Sequence, residues 1–347
     1  MFLFGRKSHD IVQINARLIA ILLALAFATQ MLCSCDTKPH FETDKLHVIC
    51  TVYPVYSLAK RIAGDSAEVL LLMTPGTDAH GYEPSSADIR LVEEADVIVS
   101  NGAGLETWLS DVMDAIENDD LLHIDSSSNV DLLCMEAGHN HSHNHSHGSE
   151  HDAHDEDGSG HEDEQDEEHG EGHEEGHEEE FVDPHTWLSF ENLIVMTSAI
   201  AEGLSMADPD NSDTYRANAS SLMDKLEGLS SEYEQLFERV EGQTLVVSHE
   251  AFGYICDDYG LRQLAVDGLS SEAEPDARSM VRIVDEVRQL GCDVIFYDQL
   301  INPAAARVIA DETGLELMAI EAMPASYEVE IEDMLENNLV RILEGLV

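Results

Sequence analysis

HVICTVYPVYSLAKRIAGDSAEVLLLM, residues 47–73, decides the fold. It reads as an apolar strand from His47 to Val52, a helix from Pro54 to Ala63 and a second strand from Glu68 to Met73. Proline in the first helical turn and Gly64 just past the end are the ordinary punctuation of a helix. The alternation continues with a helix from Ser85 to Glu94, where Ser85 or Ser86 can cap the free amides, strand Asp96–Ser100, a helix near Leu105–Ile116 and strand Leu121–Asp125. A second block repeats it: strands Thr244–Ser248 and Gln263–Val266, helix Pro275–Leu290, strand Val294–Tyr297, helix Pro303–Thr313, strand Glu316–Ile320 and a last helix from Val329 to Glu344. Strict succession of strand and helix predicts parallel sheets covered by helices. Between the blocks, Trp187–Leu204 reads as one helix and Ser212–Val240 as a long one, with Leu222, Leu226, Leu229, Tyr233 and Leu236 three or four apart. The expected fold is therefore α/β: an N-terminal lobe over 35–211, a linking backbone helix over 212–241 and a C-terminal lobe over 242–347, with a cleft between the lobes.

The chain has 347 residues, 43% of them hydrophobic, enough for two modest domains. Acidic residues outnumber Lys and Arg 71 to 17, a formal charge of -54, which repels nucleic acid and anionic membranes and enriches cations. Residues 1–34 read as a targeting signal: Arg6, Lys7 and Arg17 precede an apolar run, Leu18–Phe27, that is too short to span a bilayer. Leu32-Cys33-Ser34-Cys35 resembles a bacterial lipobox, so cleavage before Cys35 and a lipid on its thiol are expected, placing the body outside the cytoplasm and tied to the membrane. Cys50, Cys134, Cys256 and Cys292 remain. Cys50–Cys134 and Cys256–Cys292 would be the pairing within each lobe, and burial as free thiols is the alternative.

From His139 to Glu180 the composition changes: eleven His, seventeen Asp or Glu, no Lys or Arg and no aliphatic side chain larger than Ala153. Such a stretch cannot bury a core and is expected to be disordered. The alternating His139, His141, His143, His145 and His147, with His151 and His154, offer many weak, overlapping metal chelates.

Seven His lie outside the tract. His80 follows the strand ending at Met73, His249 the strand ending at Ser248 and Glu321 the strand ending at Ile320, while His185 follows Asp183-Pro184 before a helix. Ligands of open α/β sheets bind beyond the carboxyl ends of strands, so each lobe would supply two ligands. Three imidazoles and one carboxylate suit zinc, whereas manganese asks for more oxygen donors. Because the ligands must be deprotonated, affinity is expected to weaken as pH falls through the histidine range, near about 6. Glu83 suits an exposed turn better than a supporting role to His80. Asp183 can orient His185 or cap the following helix, and capping is the expectation; Glu274 shapes the loop before its helix.

TPGTDAHGYEP at 74–84, DPHTWL at 183–188, SHEAFGY at 248–254 and GLSSEAEP at 268–275 together resemble the zinc and manganese solute-binding proteins of ABC transporters, the ZnuA and AdcA type, in order from Leu46 to Val347. Ala79 and Phe190 stand where that family commonly has proline. The resemblance implies two α/β lobes joined by a backbone helix and metal held between them by His80, His185 and His249, with Glu321 at the family's fourth, carboxylate position. It also implies zinc over manganese, a His-rich loop that collects zinc or senses its abundance, and delivery of the ion to an ABC permease with its ATPase; a monomer is expected.

Three histidines and a carboxylate can also hold an activated water in a hydrolase. Outside the tract, where residues 173–177 happen to read HEEGH, the chain has no His-Glu-x-x-His motif, Gly-x-Ser-x-Gly elbow or phosphate loop. A carrier is expected and not an enzyme, with a metal-buffering or adhesive surface lipoprotein as the other alternative.

Overall fold

β1 (Leu46–Cys50), α1 (Tyr53–Ala63) and β2 (Ala67–Leu71) form the predicted crossover, the strands paired in parallel with Val48 opposite Val69. Val48, Ile49 and Cys50 are all buried because both faces of the sheet are covered. α1 buries Val55, Leu58, Ala59 and Ile62, the spacing of one helical face. This structure, a computed structural model, describes residues 40–135, 181–267 and 277–347. The signal with Cys33 and Cys35, the 139–180 tract and Glu274 lie outside the described residues.

Ser85 opens α2 (Ser86–Glu93) with a reciprocal capping box to Asp88. β3 (Val97–Ser100), α3 (Leu109–Ala115) and β4 (Leu122–Asp125) complete a parallel sheet of order β2-β1-β3-β4. α3 starts four residues later than expected, residues 105–108 forming irregular chain and a turn after the positive-φ run Gly102, Ala103 and Gly104. β5 (Cys134–Met135) and β6 (Phe181–Val182) form a short antiparallel pair that periodicity does not reveal. α4 (Phe190–Ala207) and α5 (Ser212–Phe237) follow. The C-terminal lobe holds β7 (Thr244–His249), α6 (Gly253–Asp258), β8 (Arg262–Asp267), α7 (Ala277–Leu290), β9 (Val294–Asp298), α8 (Ala304–Thr313), β10 (Glu316–Ile320) and α9 (Ile331–Leu346). Its sheet is also parallel, in the order β10-β9-β7-β8.

α5 has 26 residues, so it extends roughly 39 Å at 1.5 Å per residue. It buries Tyr215, Ala219, Leu222, Leu226, Tyr233 and Phe237, and Phe237 stacks on Tyr259 with centroids 4.3 Å apart. One hydrophobic cluster runs from Val48 and Val97 through Leu222 and Leu226 to Val247, Phe296 and Leu339. The two sheets share this core, and a second cluster including Val246, Leu264, Ile283, Ile295 and Ile309 lies within the C-terminal lobe. The lobes are also fastened by polar contacts: Tyr53 donates to the Val329 carbonyl at 3.0 Å and Ser57 to Glu330 at 2.8 Å. Arg61 of α1 and Lys225 of α5 both pair with Glu332 of α9.

None of the four described cysteines is in a disulfide. Cys50 and Cys256 are buried, and burial pushes both thiols well up from their ordinary range. Dithiothreitol should therefore leave the melting temperature unchanged, and a native alkylating reagent should label Cys134 at once while reaching Cys50 and Cys256 only after denaturation. A drop of several degrees on reduction would instead reveal a bridge.

Candidate metal centre

The order of each sheet fixes where a ligand sits. In the N-terminal sheet the chain passes from β1 to β2 on one side and then across to β3 on the other; in the C-terminal sheet it goes from β7 to β8 and then across to β9. Helices on opposite sides leave a crevice at the carboxyl ends of these central strands. β7 ends on His249 and β9 on Asp298, both 2% exposed.

His80 arrives from the turn after β2, where its backbone N–H donates to Asp78 at 3.0 Å. His185 stands between β6 and α4. Asp183 Oδ1 accepts from the His185 backbone N–H at 3.0 Å and from its ring Nδ1 at 2.7 Å. With Nδ1 donating to a carboxylate, Nε2 keeps its lone pair for a metal. Asp183 therefore orients His185, against the expectation that it caps the next helix; α4 is capped by Ser189, whose hydroxyl accepts from Asn192 N–H.

One nitrogen from each of His80, His185 and His249 lies within 4.8 Å of the others. The Nε2 atoms of His80 and His185 are 3.1 Å apart. A tetrahedral zinc ion with Zn–N distances near 2.0–2.1 Å separates its donors by about 3.3 Å, so the spacing is close to what zinc requires. A cavity of about 50 Å³ between the three rings, walled also by Trp187 and Asp298, has room for one ion. A larger hollow of about 620 Å³ beside Trp108 touches only His80 of the three and is not the site. His185 and His249 are fully buried and His80 half-buried. Burial, then the neighbouring His185 and His249, lowers the His80 pKa to about 4.

Glu321 stands apart from this cluster. Its carboxylate accepts from Gln299 at 3.2 Å, and its backbone is clasped by Asn338, which accepts from its N–H at 3.0 Å and donates to its carbonyl at 2.7 Å. The carboxylates that line the cavity are Asp78 and Asp298, the latter with Oδ2 4.0 Å from His249 Nδ1. Burial and then the charge of Asp298 raise the Glu321 pKa, so the two carboxylates feel each other. Asp298 escaped the sequence reading, although its place at the end of β9, across the switch point from His249, was a signal that could have found it. Glu83 is exposed, in keeping with a turn residue.

With this geometry in view, residues 48–345 match the family model described as "Zinc-uptake complex component A periplasmic", ZnuA. The chain belongs to the ZnuA family. It is 30% identical over 316 residues to the "Zinc-binding protein AdcA" of Streptococcus pyogenes, covering 91% of this chain and 57% of that relative, so it spans little more than half the relative's length. Among solved structures it is similar to a mutant of the laminin-binding adhesin Lmb of Streptococcus agalactiae, with a TM-score of 0.71 and 25% identity, covering 87% of this chain and 100% of that one. It is also similar to the Zn(II)-bound ZnuA-like domain of Streptococcus pneumoniae AdcA, with a TM-score of 0.66 and 26% identity over 87% of this chain and 99% of that one. The ZnuA match takes in both sheets, α5 and all three clustered histidines.

The lowered pKa of His80 has a measurable sign. Folding holds the ring neutral, so its contribution to stability is complete above its ordinary value of 6.5 and is lost as pH falls through about 4. The proton competition expected near about 6 is displaced downward for this ligand. An NMR titration of the metal-free protein should give a His80 midpoint near 4, and His80→Gln should remove part of the stability loss between pH 6.5 and 4. A midpoint at 6.5 would show the ring to be solvated.

Proposed function

We propose that this chain captures zinc outside the cytoplasm and delivers it to an ABC permease powered by its ATPase. The observation that supports this most is the convergence of three imidazole nitrogens within 4.8 Å beside a cavity of about 50 Å³. Relatives named as zinc-binding and a neighbouring structure with Zn(II) bound point the same way. Three nitrogen donors favour zinc over manganese. Glu321 is the proposed fourth ligand: its carboxylate leaves Gln299 when a cation enters, and the cation relieves the repulsion with Asp298.

In this reading the lipid on Cys35 tethers a monomer to the membrane. The 139–180 tract gathers zinc weakly through His139, His141, His143, His145, His147, His151 and His154 before it reaches the tight site. The likeness to a laminin-binding adhesin favours adhesion as a second reading. Permease-dependent rescue of growth under zinc starvation separates the two.

Protein lacking residues 139–180 should lose several weak equivalents of zinc and retain one tight equivalent. In that background, replacing His80, His185 or His249 by Ala should weaken binding by more than the roughly 100-fold that loss of an outer-shell partner can cost, and Glu321→Ala by less. Disappearance of the tight equivalent with the tract alone would relocate the site.

A further inference from the structure

His185 sits in an irregular stretch between β6 and α4, so no ladder of backbone hydrogen bonds fixes it. Asp183 aims the ring, but it belongs to the same stretch and would travel with it. Whatever sets the distance from His185 to the other two histidines must reach in from elsewhere in the fold.

Asn101 does so. It follows the last residue of β3 and has no exposed surface. Its Nδ2 donates to the Pro184 carbonyl at 2.9 Å, and its Oδ1 accepts from the Thr186 hydroxyl at 3.0 Å. One amide thereby grips the residue before His185 and the residue after it. Thr186 is held a second time by the Ser127 hydroxyl at 3.0 Å.

Asn101 is itself held by Glu106, which also binds the end of β1, and by the residues just beyond β4. Its backbone N–H donates to Glu106 Oε1 at 2.8 Å, and the Thr51 hydroxyl, just beyond β1, donates to the same oxygen at 2.5 Å. Its carbonyl accepts from the Ser127 N–H at 3.1 Å and the Ser126 hydroxyl at 3.2 Å, just beyond β4. The C-terminal lobe meets the same stretch from the other side: Tyr254, five residues after His249, donates to the Asp183 carbonyl at 3.0 Å.

We propose that Asn101 is a positioning residue for the metal centre, setting where His185 presents its nitrogen and thereby the affinity and coordination geometry of the site. The inference rests on the zinc-capture reading above. The amide is chemically required, since the grip needs one donor and one acceptor on a single planar group. Asp lacks the donor toward Pro184 and places a charge there; Ala lacks both halves.

The test uses protein lacking residues 139–180 and reads zinc affinity together with the visible spectrum of the Co(II)-substituted site, which reports coordination geometry and is indifferent to mere loss of stability. Asn101→Ala and Asn101→Asp should each weaken zinc binding by about 10- to 100-fold, the range for outer-shell partners, and weaken the tetrahedral Co(II) bands. Thr186→Val, which keeps the side-chain shape and removes one half of the grip, should act in the same direction but less. Adding it to Asn101→Ala should cost little more, because both act through one contact. Asn118→Ala is the control: Asn118 bonds the Glu93 and Ala95 carbonyls in the same lobe, away from the histidines, and its loss should lower the melting temperature with an unchanged Co(II) spectrum. If Asn101→Ala does not fold, Thr186→Val alone decides. Zinc affinity within about threefold of the parent with its spectrum intact overturns the proposal. A parent protein with no tight equivalent overturns the zinc-capture reading itself, and the inference falls with it.

Discussion

Glu332 has no exposed surface, yet it faces a guanidinium from α1 and an ammonium from α5. Arg61 belongs to the N-terminal lobe, Lys225 to the linking helix and Glu332 to the C-terminal lobe, so this one buried carboxylate ties all three parts together. Removing both cations would leave the Glu332 charge stranded in the interior, which costs far more than an exposed pair is worth. The histidine cluster depends on this fastening. His80 and His185 come from one lobe and His249 from the other, and coordination tolerates errors of only a few tenths of an ångström.

The histidines are neutral bases supplied by a chain whose formal charge is -54. Acidic residues spread over a solvated surface are screened beyond roughly 8–10 Å and do little more than enrich cations nearby. The carboxylates that matter are two buried ones beside the histidines. Asp183 hydrogen-bonds the His185 ring, and Asp298 closes the cavity beside His249. They place negative charge beside His185 and His249, which favours a cation between the rings without occupying its space. Desolvation of His80 works to the same end by disfavouring the proton that competes with metal.

The αβ alternation was legible because strands buried on both faces read as continuous apolar runs and helices as periodic ones; β1, α1 and β2 lie within a residue or two of their predicted ends. The three histidines were legible because they follow strand ends or a short polar turn. Three features were not. Disulfide pairing is a matter of distance, and Cys50 lies in the middle of the core while Cys134 is on the surface. The shared core was hidden because the apolar stripe of α5 has one period whichever lobe it faces, and it faces both. The start of α3 was not legible because residues 105–108 form irregular chain and a turn, although their residue types suit a helix.

Asp298 and Asn101 were missed for a related reason. Each stands at the end of a central strand, β9 or β3, where sequence alone offers a carboxylate or an amide among many. Their meaning appears only when strand order is known, because the crossover from β8 to β9 or from β2 to β3 decides which strand ends border the crevice. His80 and His185 lie on irregular segments, which can be shaped around an ion, while His249, Asp298 and Asn101 lie at the ends of β7, β9 and β3, strands locked into parallel ladders. A loop ligand alone would lose conformational entropy on meeting its metal. Anchored at Pro184 and Thr186 to a strand end, His185 has lost most of that freedom already in folding, and in the proposed zinc-capture reading what remains for the ion is to replace a close approach of two imidazole nitrogens with two bonds.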